Sequence, residues 1–181
     1  HAGVECEDRN NYGFVDSNFQ LVIPQQFSTA RAFKGGLAAV RNAENRWGLI
    51  DRKGNWVVAP RFEKINYFQP QHRVIGAKPP GGKWGFIDRS GNWLLQPNMD
   101  EVYLDNMNGS EQELGYAKRR DAATGVMEFV IVNAITGKII FEKSSPHPVQ
   151  ITIFWSVNLV HLENFPIPGK QALLKPDGNF L

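Results

Sequence analysis

Apolar and polar positions alternate along this chain in short runs, and the runs repeat. Residues 83–93 read KWGFIDRSGNW and residues 46–56 read RWGLIDRKGNW, identical at eight of eleven positions. In both, an apolar run meets Asp-x-x-Gly-Asn, and a second apolar run follows and reaches a proline: WVVAPRF in one copy, WLLQPNM in the other. A weaker copy, NYGFVDSNFQLVIP, precedes them, with Tyr12 in place of Trp. Alternating runs this short predict strands, not helices. Asp-x-x-Gly between two of them predicts a hairpin: the aspartate folds its carboxylate back onto the backbone, and the glycine takes the left-handed conformation that ends the loop. The proline, which has no N–H for a ladder, is expected to close the strand.

The copies continue in weaker form. FVIVNAITGKII at 129–140 keeps the apolar run, Asn133 and Gly137, and loses Trp-Gly. QALLKPDGNFL at 171–181 aligns without gaps, with Gln171 at the Trp position, Lys175 at the Asp position, and Gly178, Asn179 and Phe180 retained. Five copies thus start near 12, 47, 84, 129 and 171. Between hairpins the apolar residues fall three apart (Phe27, Ala30, Phe33; Phe62, Ile65, Phe68; Met99, Val102), which predicts one helical or 3₁₀ turn. GLAAVR (36–41), RVIGAK (73–78) and LGYAKR (114–119) read as a further strand per unit.

The predicted architecture is all-β: tandem three-stranded antiparallel hairpin or meander units, stacked in an open solenoid-like arc, over one domain spanning 1–181. A small closed propeller-like ring is the alternative. The hairpins fall at 12–24, 47–60 and 84–97, with degenerate ones at 129–141 and 171–181. A unit of this size cannot bury both faces of its own sheet, so neighbouring copies must share the core. Gly next to Trp leaves a gap in the pleated surface over which an indole from an adjacent strand can lie. The repeat positions with structural roles are therefore Trp47, Gly48, Asp51, Gly54, Trp84, Gly85, Asp88 and Gly91. The sequence starts without Met and stops inside the fifth copy. This leaves a processed start and a continuation past Leu181 open, and favours the open array.

The segments RWGLIDRKGNWVVAPRFEKINYF (46–68), KWGFIDRSGNWLLQP (83–97) and NYGFVDSNFQLVIPQQFSTARAFKGGLAAVR (11–41) resemble WG-containing repeats, also called KWG repeats, of bacterial proteins. The resemblance implies a β-rich repeat scaffold and brings no catalytic residues with it.

Charge adds little: 20 basic and 18 acidic side chains give a net +2, without the basic stripe that nucleic acid demands. No apolar run is long enough to span a bilayer as a helix. The single cysteine, Cys6, cannot form an internal disulfide or a cysteine-based zinc site. No nucleophile motif, metal-ligand spacing or phosphate loop is present, and KPPGGK (78–83) reads as a long hairpin loop. No catalytic residue, metal or cofactor is assigned, and the expectation is that the protein is not an enzyme. Asp16, Asp51 and Asp88 recur at one place in each hairpin and are read as turn openers.

Departures from the repeat carry the candidate binding residues. The acidic insertion LDNMNGSEQELG (104–115) supplies Asp105, Glu111 and Glu113, which suit a basic cleft on a partner. The cation run AKRRD (117–121) supplies Arg119 and Arg120. The aromatic segment at 143–170 supplies Phe154 and Trp155. The functional expectation is a non-catalytic protein–protein interaction scaffold, in its concrete form a toxin-neutralising immunity protein with a secreted effector as partner. The favoured compartment is the periplasm or envelope. A carbohydrate- or cell-wall-binding module, using exposed Trp56, Trp93 or Trp155, is the alternative.

Overall fold

The computed structural model describes residues 11–104, 114–154, 159–165, 168–175 and 178–181, and the backbone of Gly3–Val4. Every regular element among them is a strand: β1 Gly3–Val4, β2 Tyr12–Val15, β3 Leu21–Phe27, β4 Thr29–Ala30, β5 Ala38–Arg41, β6 Trp47–Ile50, β7 Trp56–Phe62, β8 Lys64–Ile65, β9 Ile75–Lys78, β10 Trp84–Ile87, β11 Trp93–Met99, β12 Glu101–Leu104, β13 Leu114–Arg120, β14 Met127–Asn133, β15 Ile139–Ser145, β16 Gln150–Phe154, β17 Leu159–Glu163 and β18 Gln171–Leu174. They form five antiparallel meanders, β1–β3, β4–β7, β8–β11, β12–β15 and β16–β18, none closed into a barrel. The interior meanders have four strands, one more than the repeat pattern predicts. The extra strand is the segment expected to be a helical turn. Its apolar spacing of three arises because a chain that bends at Ser28 or Glu63 re-enters as a two-residue strand, β4 or β8.

Sequence unit and sheet are out of phase. The first copy places its hairpin β2–β3 in the first sheet, and its remaining strands β4 and β5 pair in the second sheet with the hairpin β6–β7 of the second copy. The second and third copies repeat this offset, β8–β9 joining β10–β11 and β12–β13 joining β14–β15. Each copy is thereby a strap between two sheets.

The two faces of each strand serve two different cores, as the period of two requires. In the second sheet Ala38, Val40 and Ile50 face the first sheet's Phe14, Ile23 and Phe27. Ala39, Leu49 and Val58 face the third sheet's Ile75, Ala77 and Ile87. Val74 and Phe86 face the fourth sheet's Ala117, Val130 and Val132. Leu114, Phe129 and Ile131 face the fifth sheet's Val160, Leu162 and Leu174. Four cores therefore sit between five sheets. Among the described residues each links successive sheets and none links the first to the last, which is the arrangement of an open arc. Strands buried on both faces read as continuous apolar runs such as WGLI and VIVN.

The Trp-Gly hairpins share an irregular register. Trp47 pairs Phe62, Leu49 pairs Val58 and Ile50 pairs Trp56, so the second strand holds extra residues at two places. Tyr12–Phe27, Phe14–Ile23 and Val15–Leu21 repeat the pattern, as do Trp84–Met99, Phe86–Leu95 and Ile87–Trp93. The extra backbone folds over the glycine: a Cβ on Gly48 would lie 2.5 Å from the Val58 carbonyl oxygen and 3.0 Å from Pro60 Cα. Pro24, Pro60 and Pro97 occupy this bulge inside seven-residue strands and do not end them. Proline is tolerated there because a bulged residue has no ladder bond to lose. The fourth hairpin, which lacks both Trp-Gly and proline, has one register shift where the first three have two.

Candidate interaction surface

The first three hairpin loops are built the same way. Asp51 Oδ1 accepts the backbone N–H of Lys53 (2.8 Å) and Asn55 (2.9 Å), and Asn55 Nδ2 donates to Oδ2. The Asp51 carboxyl is held below its usual range, chiefly by the Asn55 N–H. Asp88 repeats the arrangement with Ser90 and Asn92. Partial burial pushes its pKa up, and the hydrogen bonds from Asn92 and Ser90 outweigh that and hold it low. Asp16 accepts from Asn18 and Gln20. These oxygens are committed to their own turns. Among the described residues no group of three or more His, Cys, Asp or Glu is placed to hold a metal ion.

The loop survives loss of the aspartate. In the fifth copy Lys175 N–H bonds the Asn179 carbonyl (2.8 Å) and Gly178 N–H bonds the Lys175 carbonyl (3.0 Å), matching Asp51 with Asn55 and Gly54 with Asp51. What persists is the left-handed residue, with φ of 87° at Gly54, 88° at Gly91 and 90° at Gly178.

The indoles divide into two sets. Trp47 is buried in the core between the second and third sheets, with the Arg31 guanidinium held 4.5 Å from its ring and 4.2 Å from that of Tyr67. Trp56 and Trp93, which follow the loops, lie over the glycines across the hairpin: a Cβ on Gly48 or Gly85 would meet their Cζ3 at 2.7 and 2.8 Å. Their rings stand edge-on to Phe27 and Phe62 of the preceding sheet. The indole that fills each glycine gap therefore comes from the partner strand.

Arg89 ties the loops together. Its Nη1 donates to the carbonyls of His72 (3.1 Å) and Pro70 (3.4 Å), and its Nη2 to those of Lys34 (3.1 Å) and Gly35 (2.8 Å). His72 is fully buried, and its Nδ1 accepts the Gln69 N–H. Burial and the nearby Arg89 charge lower its pKa to about 4.

The cation run is half-buried and largely paired. Arg119 contacts Glu128 at 2.6 Å, Lys118 contacts Glu101 at 2.6 Å, and neighbouring Lys83 contacts Asp100 at 2.7 Å. The Arg120 side chain is exposed at the end of β13. Asp105, Glu111, Glu113 and Trp155 lie outside the described residues, as does the side chain of Phe154, whose backbone pairs with Leu159. Arg119 and Arg120 therefore stand without the other candidates in view.

The surface that does recur was not singled out from the sequence. The first two residues of the second hairpin strand, at the sheet edge, are apolar in the first four copies and at least one of each pair is exposed: Leu21 and Val22, Trp56 and Val57, Leu94 beside the half-buried Trp93, Ile139 beside the half-buried Ile140. The signal was present as an apolar pair directly after each loop. Sequence reading assigns such residues to the core, and only the bulge, which turns them out of it, reveals otherwise.

A model of the WG-containing repeat matches residues 12–45, 47–69 and 84–106. Residues 12–106 belong to the WG-containing repeat family. The matched WG repeats end before the fourth hairpin, which has neither the Trp-Gly pair nor the bulged proline, and before the fifth, which has Gln171-Ala172 in place of Trp-Gly. No curated protein matches the chain. Among solved structures, the crystal structure of BamB from Moraxella catarrhalis is 14% identical, with a TM-score of 0.35 over 96% of this chain and 55% of that one. The crystal structure of the WD40 beta propeller domain of Doa1 is 8% identical, with a TM-score of 0.30 over 90% of this chain and 55% of that one. The chain spans about half the length of each.

Proposed function

We propose that this WG-repeat array is a non-catalytic protein-binding scaffold. The observation that supports it is the apolar pair at the same edge position of the first four sheets, with at least one member exposed in each. Single exposed apolar residues are ordinary. A pair repeated at one register position of successive sheets is a regularly spaced set of anchors, and repeat arrays use such surfaces to bind extended partners. The bulge and its proline keep the same edge from pairing with foreign strands, so a partner is read by side chains and not by strand addition.

The test is capture of proteins from the source lysate on immobilised wild-type protein and on a Val57→Asp/Leu94→Asp variant. One protein held in stoichiometric amount by the wild type and released by the variant is the expected result. Equal retention by both would remove the edge pairs from the reading. The finer form, a toxin-neutralising immunity protein, requires that the captured partner lose a toxic activity on binding. The carbohydrate reading is tested by titrating glycan and peptidoglycan fragments against tryptophan fluorescence. Trp56 and Trp93 already cover Gly48 and Gly85, so no response is expected from them.

A further inference from the structure

After each of the first three hairpins the chain bends and places one residue at a common register. Arg31 N–H donates to the Ala39 carbonyl as Asn66 N–H donates to that of Gly76, and Tyr103 pairs Tyr116 at the corresponding step. Only the first copy has a cation there. The Arg31 guanidinium lies between Trp47 and Tyr67, 4.5 and 4.2 Å from their rings, and its Nη1 donates to the Ile65 carbonyl of the third sheet (2.9 Å). Its other N–H groups meet no acceptor among the described residues. Burial works against the charge and lowers the pKa from the usual guanidinium value.

The first copy also lacks the acid that its successors have. Lys78 and Lys118 contact Glu63 and Glu101. At the register of those lysines the first copy has Arg41, opposite Thr29, and Ser28 and Thr29 stand where the acids would be. Arg41 lies 5.8 Å from the Trp47 ring, and its Nε is buried without a hydrogen bond. Two guanidiniums thus lie against one indole, and among the described residues neither meets a carboxylate. Half-buried charge of one sign with no counter-charge is unfavourable.

Arg31 opens on a cleft of about 50 Å³ between the second and third sheets, walled by Ala32, Ala39, Tyr67 and Phe68 and flanked by Lys34, which is exposed and in no ion pair among the described residues. We propose that this cleft binds a carboxylate of a polypeptide partner, an acidic side chain or a C-terminus, between Arg31 and Lys34. The cleft has room for a group of a few heavy atoms. The guanidinium, held flat between two rings, presents a planar fork of donors that matches a carboxylate, and its side chain is ordered before anything binds. The site is distinct from the apolar pairs, because β4 and β7, which bears Trp56 and Val57, are opposite edges of the second sheet. That the carboxylate belongs to a protein rests on the scaffold reading; the anion site itself does not.

The test is proton–nitrogen correlation spectroscopy of the arginine Nε–H and tryptophan indole groups of the 181-residue chain. At constant ionic strength it is titrated with acetate, amide-capped N-acetylglutamate (a side-chain carboxylate), N-acetylglycine (a C-terminal carboxylate) and inorganic phosphate. Saturable shifts at Arg31 and Trp47 are expected with the carboxylates, and the tighter of the two amino-acid compounds identifies the source. Lys34→Gln changes an exposed side chain, so the melting temperature is kept while carboxylate binding weakens about tenfold. Arg31→Gln abolishes binding; should that variant fail to fold, Lys34→Gln carries the test. The proposal is overturned if neither amino-acid compound gives a saturable shift at Arg31, if phosphate binds more tightly than the carboxylates, or if Lys34→Gln binds as wild type does. The titration needs no captured partner, so its failure and the failure of the capture experiment are separate results.

Discussion

Gly91 lies against Val58: a Cβ built on the glycine would stand 2.8 Å from Val58 Cγ1 in the preceding sheet. The hairpin glycine thus has two duties, the left-handed backbone at φ 88° and the close approach of neighbouring sheets. Gly36 separates them, since its φ of 87° is similar but nothing lies within 4 Å of where its Cβ would be. Gly36→Ala is expected to cost about 1–2 kcal/mol in urea unfolding, the conformational share alone. Gly91→Ala should cost about 2–4 kcal/mol, because overpacking adds to it. Equal losses at the two positions would mean that the inter-sheet contact contributes nothing.

Trp93 closes the gap over Gly85 and abuts Phe62, joining the two strands of a hairpin and two sheets at once. Trp93→Ala is expected to destabilise by about 3 kcal/mol or more, in the range of large-to-small aromatic changes. Trp93→Leu, which refills part of the volume, should recover some of that. Denaturation midpoints that order the two variants the other way would contradict the packing role.

Arg89 reaches four carbonyls from two loops with one guanidinium. A lysine has the charge without the planar fork. Arg89→Lys is therefore expected to lose most of what Arg89→Met loses, about 2 kcal/mol for several charge-assisted bonds in a partly buried site. Full rescue by lysine would reduce the residue's role to its charge.

His72 makes the fold sensitive to acid. Its pKa in the folded protein, about 4, lies below the ordinary value of 6.5, so the unfolded chain binds the proton first. The stability associated with neutral His72 is complete above about pH 6.5 and is lost as pH falls toward 4, by up to about 3 kcal/mol. His72→Asn keeps an acceptor for the Gln69 N–H and does not titrate, and should flatten the pH dependence over that window. A slope unchanged by the substitution would place the sensitivity elsewhere.

The Arg119–Glu128 pair is about one-third exposed on both sides, with contacts of 2.6 Å. Arg119→Ala is expected to cost no more than about 1 kcal/mol, and less at high salt. A larger, salt-independent loss would show that the stem of Arg119 matters more than its charge.

The period-two apolar pattern, the recurrence of Asp-x-x-Gly and the Trp-Gly pairs by themselves determined an all-β stack of hairpins, because each is a local constraint: alternation follows from the pleat, and the left-handed glycine from the loop. Three things were decided only in three dimensions. One is the offset by which β4 and β5 leave the first hairpin's sheet and pair with β6, since strand partners are chosen by long-range hydrogen bonding that no local pattern records. Another is the place of Pro24, Pro60 and Pro97 within bulged strands, because a missing N–H reads alike at a strand end and in a bulge. The last is the surface: Val57 and Leu94 are as apolar as the core beside them, and only the bulge, by displacing the register at the sheet edge, leaves them exposed.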